Sequence, residues 1–437
     1  MNGWKKNNQS NTLQEVFSSV SIPKTGFWKK FLAFSGPGLM VAVGYIDPGN
    51  WATDIAGGSQ FGYTLLFVIL ISNLFAMILQ HLSLKLGIVA ERDLAQACRD
   101  NYGKKTNFTL WILCEIAIAA MDLAEVIGSA IALNLLFGIP LLWGIVITTL
   151  DVLLILLLQA KGFRKIESIV AGLMFLVLGC FGYELILSKP EIAPLLHGLL
   201  PAKEIITNPS MLYLAIGILG ATVMPHNLYL HSSIIQTRNY ERTTEGKKEA
   251  IKFATLDSSL SLILAFFINA AILILAASTF HTSGNIHIAD IEEAHEMLTP
   301  LLGTAFASTL FAIALLASGQ NATLTGTLAG QIVMEGFLNI RLKPWIRRLI
   351  TRLIAVIPAL LVTIFYGEQE TTKLLVLSQV ILSMQLGFAV VPLVGFTSDK
   401  RKMGNFVNSK LLKLVAWIIT IIIIALNIYL LLATFLS

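Results

Sequence analysis

The sequence predicts an all-α, polytopic membrane protein, and three observations carry that prediction. Of the 437 residues, 55% are hydrophobic and only 13% charged, where a soluble domain carries about 25% charged residues. The apolar residues fall in continuous runs of helix length, whereas a membrane β-barrel shows alternating segments of about ten residues. Lys and Arg cluster between alternate runs and leave the other connections nearly bare. A soluble enzyme is therefore excluded. The three cysteines, Cys98, Cys114 and Cys180, lack CxxC spacing, so neither a disulfide framework nor a thiolate metal site is implied.

In chain order, residues 1–35 are polar, carry Lys5, Lys6, Lys24, Lys29 and Lys30, and lack a short apolar core followed by a cleavage site. They read as a retained cytoplasmic tail. A bilayer core about 30 Å thick takes about 20 apolar residues per helix. Windows of that kind lie at 36–60, 64–86, 108–135, 141–159, 165–187, 209–236, 253–280, 301–330, 348–366, 372–397 and 413–436, which makes eleven expected spans. With the amino terminus inside, the cytoplasmic segments hold 27 of the 31 basic residues; Lys189, Lys203 and Lys373 lie outside and Arg352 within a span. Removing one span would scramble this alternation, so the bias fixes both orientation and count, with the carboxyl terminus extracellular or periplasmic. The basic residues are thus topological anchors, and nucleic acid is not an expected partner. The outer connection 281–300 has Asp290, Glu292, Glu293 and Glu296 and no Lys or Arg; it reads as a solvated acidic loop, or as a device that concentrates cations near an outer mouth.

Spans one and six carry a helix breaker in mid-membrane together with polar residues. Span one reads Gly44-Tyr45-Ile46-Asp47-Pro48-Gly49-Asn50 and span six Ala221-Thr222-Val223-Met224-Pro225-His226-Asn227, the two prolines being 177 residues apart. Lipid tolerates such interruptions only where the freed backbone is buried or lines a cavity. Matched breaks imply that spans one to five (36–187) and six to ten (209–397) are structural repeats, with 413–436 as an extra span. Five is odd, so the repeats are inverted, and a transport site is expected at the midplane between the breaks. Asp47 costs about 2.5–3.5 kcal/mol within a span, and such carboxylates face a pathway. Asp47 offers a hard anionic oxygen, Asn50 a neutral one, the unwound backbone at Gly44 and Ala221 carbonyls, and Met224 a thioether. That mixture suits Mn²⁺ and Fe²⁺, with Cd²⁺ and Co²⁺ as passengers, over the all-oxygen preferences of Ca²⁺ and Mg²⁺. The competing reading of Met224 is apolar filler.

Asp47-Pro48-Gly49-Asn50 and Met224-Pro225-His226-Asn227 resemble the two signature motifs of the Nramp family of proton-coupled divalent metal transporters, in its bacterial manganese branch. The resemblance covers essentially the whole chain and implies a LeuT-type 5+5 inverted repeat with eleven spans. It also implies metal ligation by Asp47, Asn50, Met224 and the carbonyls of Gly44 and Ala221. Family members often have Ala where this chain has Gly44. A span-ten Gln or Asn joins the family's occluded shell; here the role falls to Gln379, with Gln385 as the competing register.

Glu115, Asp122 and Glu125 in span three are spaced by seven and three residues, which places them on nearly one helical face. Carboxylates on one intramembrane stripe read as proton acceptors. Arg352 is their expected cationic partner, as in the family's exit route for protons, with a purely structural ion pair as the alternative. His226 follows the break and is expected to face the path, tuning nearby carboxylates; His231 is structural or a secondary relay. Asn73 and Asn269 read as interhelical hydrogen-bond formers worth about 0.6 kcal/mol, and the resemblance places them, with Asn227, in a gating network. Asp54 and Asp151 are left without a role.

The expected function is import of divalent metal by proton symport with alternating access, in the cell (inner) membrane. Metal and proton are cargo, no cofactor is called for, and the lipid-embedded chain is expected to be a monomer. A sodium-coupled amino-acid transporter on the same fold is disfavoured because Asp47 would repel the substrate carboxylate. An intramembrane aspartyl protease lacks its GxGD motif and leaves the breaks without a role.

Overall fold

A computed structural model of the chain describes residues 4, 12–148, 150, 162–286, 288, 290–340, 342–366 and 369–436. Lys5, Lys6, Asp151, Lys161, Arg341 and positions 149 and 151–159 of the fourth expected span lie outside the described residues. The architecture is helical. Its only described strands, β1 (Val20–Ser21) and β2 (Arg238–Asn239), pair in parallel.

The helices are α1 (Phe27–Phe34), α2 (Pro37–Gly44), α3 (Pro48–Phe61), α4 (Leu66–Ala90), α5 (Leu94–Asn101), α6 (Lys104–Phe137) and α7 (Leu141–Thr148). Next come α8 (Phe163–Ser188), α9 (Ile192–Gly198), α10 (Glu204–Thr207), α11 (Pro209–Thr222), α12 (Pro225–Ile234) and α13 (Thr244–Ala276). The rest are α14 (Ile291–Leu302), α15 (Ala305–Leu338), α16 (Pro344–Tyr366), α17 (Gln369–Thr397), α18 (Lys400–Met403) and α19 (Lys410–Leu436).

Seven described segments are long and apolar enough to cross a membrane: α4, α6, α8, α11 with α12, α13 with its following turn, α17 and α19. The other four expected spans are not among these seven. Span one is two half-helices of 8 and 14 residues. The fourth is described only over α7. In α15 the apolar character is diluted by Ser318, Asn321, Thr323, Thr325 and Thr327, all buried. Among the described residues, α16 contributes the apolar stretch Leu349–Phe365.

The breaks form where expected and for one local reason. The residue before a proline is pushed out of the α region. Asp47 accordingly sits at φ −66°, ψ 165° and Met224 at φ −54°, ψ 123°, each the cap of the half-helix that its proline starts. Around the breaks, α6 packs on α15 and α17, α13 on α2, α3 and α4, and α11 on α17. The connections expected on the basic side meet on one face of the bundle: Lys30 pairs with Glu249 at 2.5 Å and Lys247 with Glu91 at 3.0 Å. On the same face Arg99 reaches the Glu335 carbonyl at 3.3 Å, and Lys402 bonds Asn101.

Two parts of the molecule are more ordered than the sequence suggests. The acidic connection contains α14, whose Ile291, Ala294 and Leu298 are buried. This three-to-four-residue periodicity turns a solvated loop into an amphipathic helix. From residue 12 on, the amino-terminal tail is strapped along the basic face by β1 and several side chains.

Candidate transport site between the two broken helices

An α-helical carbonyl is paired by the N–H four residues on, and a proline in that position has none to give. Gly44 stands four residues before Pro48 and Ala221 four before Pro225. The same rule frees both carbonyls, and that of Ala221 reaches the first break. Asn50 joins the two breaks, since its Nδ2 donates to Asp47 Oδ1 at 2.7 Å and to the Ala221 carbonyl at 3.3 Å. Asp47 also accepts the Asn50 backbone N–H at 2.8 Å and, on its other oxygen, Gln379 Nε2 at 3.5 Å. Span-ten helix α17 approaches this closely because residue 49 is glycine: a Cβ there would lie 1.6 Å from Gln379 Nε2. Gln385, also buried, lies instead beside Tyr229 of α12.

Other freed carbonyls of the first break are satisfied by side chains. Asn269 donates to the Tyr45 carbonyl at 2.6 Å and reaches Asn50 Oδ1 at 3.5 Å. The Ile46 carbonyl accepts Trp51 Nε1 at 3.2 Å and the Ser318 hydroxyl. Trp51 is wedged between Phe181 and Phe311, with ring centroids at 4.7 and 5.1 Å. Asn227 spans from α12 to the Val41 carbonyl of α2 at 3.4 Å, over a Gly44 whose added Cβ would meet its Nδ2 at 2.4 Å. Met224 packs in a small apolar cluster with Ala117, Met121, Ala322 and Leu382. Asp47, Asn50, Met224, Gln379, Gly44 and Ala221 are all buried.

Beside the break, His226 is fully buried with neither ring nitrogen hydrogen-bonded, and it lies close enough to Asp122 to interact electrostatically. Arg352, equally buried, donates to the Asp122 carbonyl and to Glu125 Oε2, both at 3.4 Å, and to Thr323 at 3.1 Å. Thr323 in turn donates to Glu125 at 2.9 Å. Glu115 is not in this group. It pairs with Arg347 at 3.1 Å, nearer the basic face, and accepts from Trp111. Sequence reasoning took Arg347 for a topological anchor and missed both it and Thr323. His231 Nδ1 donates to Gln80 Oε1 at 2.9 Å, and Gln80 Nε2 donates to the Tyr45 hydroxyl at 2.8 Å, so a buried chain ties the two broken helices together. Asn73 stays apart, its only described bond being a 3.9 Å contact with Met77 of its own helix.

These features can be set beside known proteins. The family model described as Nramp, natural resistance-associated macrophage protein-like, matches residues 38–433. A divalent metal cation transporter MntH of Listeria monocytogenes is 62% identical over 435 residues, covering 99% of this chain and 97% of that one. The protein of the same name from Bradyrhizobium diazoefficiens is 60% identical over 437 residues, covering 100% and 97%. Among solved structures, the manganese transporter of Eremococcus coleocola superposes with a TM-score of 0.89 at 45% identity, over 96% of this chain and 90% of that one. Mhp1, a nucleobase-cation-symport-1 family transporter, superposes with a TM-score of 0.60 at 14% identity, over 92% and 91%, a likeness of fold alone.

Proposed function

The chain belongs to the Nramp family, and from that premise we propose that it imports Mn²⁺ or Fe²⁺, and admits Cd²⁺ and Co²⁺, by proton symport with alternating access. The observation that carries the proposal is that Asn50 Nδ2 bonds both Asp47 Oδ1 and the proline-freed Ala221 carbonyl, which joins the two breaks in one buried centre. Asp47, Asn50, Gln379 and the two carbonyls supply oxygen, and Met224 supplies sulfur. This donor set fits a borderline divalent cation better than Ca²⁺ or Mg²⁺.

Asn50 Nδ2 occupies the position between Asp47 and the Ala221 carbonyl that the cation must take. Metal entry therefore requires the amide to rotate and present Oδ1, and Asn269, already within 3.5 Å of that oxygen, holds the alternative partner. A cation at Asp47 favours its ionised form, so the proton that Asp47 carried leaves. His226, unpartnered and next to Asp122, takes it toward Asp122, Glu125 and Arg352, and the Glu115–Arg347 pair lies further toward the basic face. His231 is held in register by Gln80, and Asn227 and Asn269 change partners as the helices move, with Asn73 joining them in another state.

In this reading the basic face is cytoplasmic, the carboxyl terminus lies outside, the protein sits in the cell (inner) membrane as a monomer, and residues 36–187 and 209–397 are the inverted repeats. Uptake of Mn²⁺ into proteoliposomes tests the assignment. Asp47→Ala abolishes it while membrane insertion is normal; substantial residual transport refutes the site.

A further inference from the structure

The site residues are buried, and residues 12–21 of the amino-terminal tail lie on the basic face beneath the second break. Thr12, itself buried, donates to Asp93 Oδ2 at 2.6 Å and shares a 2.9 Å bond with the Ser233 hydroxyl. The Leu13 backbone N–H donates to Glu335 Oε2 at 3.2 Å, and Gln331 holds the other Glu335 oxygen at 2.9 Å. The Ser18 N–H donates to the Gln236 carbonyl at 3.0 Å, and Val20 and Ser21 pair with Arg238 and Asn239.

These contacts join elements that must separate for the site to open inward. Ser233, Gln236 and Arg238 continue the half-helix α12 that starts at the Met224–Pro225 break. Asp93 caps α5, and Glu335 lies in the last turn of α15. Residues 12–21 thus bridge the half-helix α12 to α5 and α15 packed around it. It also does so under backbone strain. Leu13 (φ 49°) and Ser18 (φ 51°) adopt left-handed conformations that residues with a side chain rarely take, so contacts rather than local preference hold the segment in place.

We propose that residues 12–21 form a latch over the cytoplasmic route to the metal site, and that inward release of metal requires Thr12 and Leu13 to leave Asp93 and Glu335. The proposal rests on the transport reading given above. Its logic is that of a two-state gate, in which contacts made in the closed state alone set the closed population.

Two measurements on the full chain in proteoliposomes test it, in a background where Cys98, Cys114 and Cys180 are replaced by Ala. In the first, buried Tyr229 on α12 is changed to Cys and labelled from the cytoplasmic side with a charged maleimide. Adding Thr12→Val, which keeps the shape and removes both hydroxyl bonds, accelerates labelling by about fivefold, the population shift that loss of one net hydrogen bond produces. An unchanged labelling rate overturns the latch, and this arm needs no transported metal. In the second, Thr12→Cys with Asp93→Cys is oxidised to tie the tail down. Mn²⁺ uptake then falls at least about tenfold and recovers on reduction, while each single variant ignores the oxidant. Cross-linked protein that transports at the rate of the single variants contradicts the proposal. If the parent protein itself moves no Mn²⁺, the transport reading fails and the labelling arm alone judges the latch.

Discussion

Asp47 is placed in the membrane by its neighbour: Pro48 forces it into an extended conformation, and the carboxylate then caps the half-helix through the Asn50 N–H at 2.8 Å. A charge that costs about 2.5–3.5 kcal/mol in a span is thereby given three polar donors and a position at the centre of the molecule. Met224 is set by the same rule at Pro225, and in the proposed site its contribution is one of discrimination. Sulfur favours Mn²⁺ and Cd²⁺ and gains little from strongly hydrated Ca²⁺ and Mg²⁺. Met224→Ala leaves the oxygens and opens room for water, so Ca²⁺ or Mg²⁺ competes with Mn²⁺ uptake far more effectively than in the parent. If both hard ions stay excluded, Met224 is filler in its cluster with Met121 and Leu382, and selectivity comes from cavity size or dehydration.

At the scale of the element, the half-helices exist because two prolines remove one N–H each, which is why both breaks could be read in the sequence. Restoring the donor tests this. Pro225→Ala returns an N–H to the Ala221 carbonyl and lets α11 and α12 fuse, a change that favours the helix by up to about 3 kcal/mol. Mn²⁺ binding by calorimetry is then at least about tenfold weaker, with unchanged affinity as the contrary result. Less local features were illegible. Gln379 and Gln385 lie on one helix six residues apart, and only the missing side chain at Gly49 admits the former to Asp47. Arg347 looked like one more anchor at a helix end. Its pairing with Glu115 follows from the packing of α16 on α6, which no local pattern reports. Thr12 and Ser18 are ordinary polar residues until the chain folds back on Ser233 and Gln236.

At the scale of the molecule, two stores of charge sit side by side. One is the break around Asp47; the other is the Asp122, Glu125, Arg352 and Thr323 cluster, buried on α6, α15 and α16. His226, in the first turn of the half-helix after the second break, lies close to Asp122 with both ring nitrogens open. In the proposed mechanism, separate stores let metal and proton leave by separate paths. Asp122→Asn accordingly slows proton movement more than it weakens metal binding, and equal loss of both argues against a separate route. The central claim, that metal and proton cross together through this one architecture, is tested most directly by tracer Mn²⁺ uptake recorded with an internal pH dye in the same proteoliposomes. The account predicts that the lumen acidifies as Mn²⁺ enters and that both signals vanish in Asp47→Ala; Mn²⁺ entry at full rate with no change in lumenal pH would contradict it.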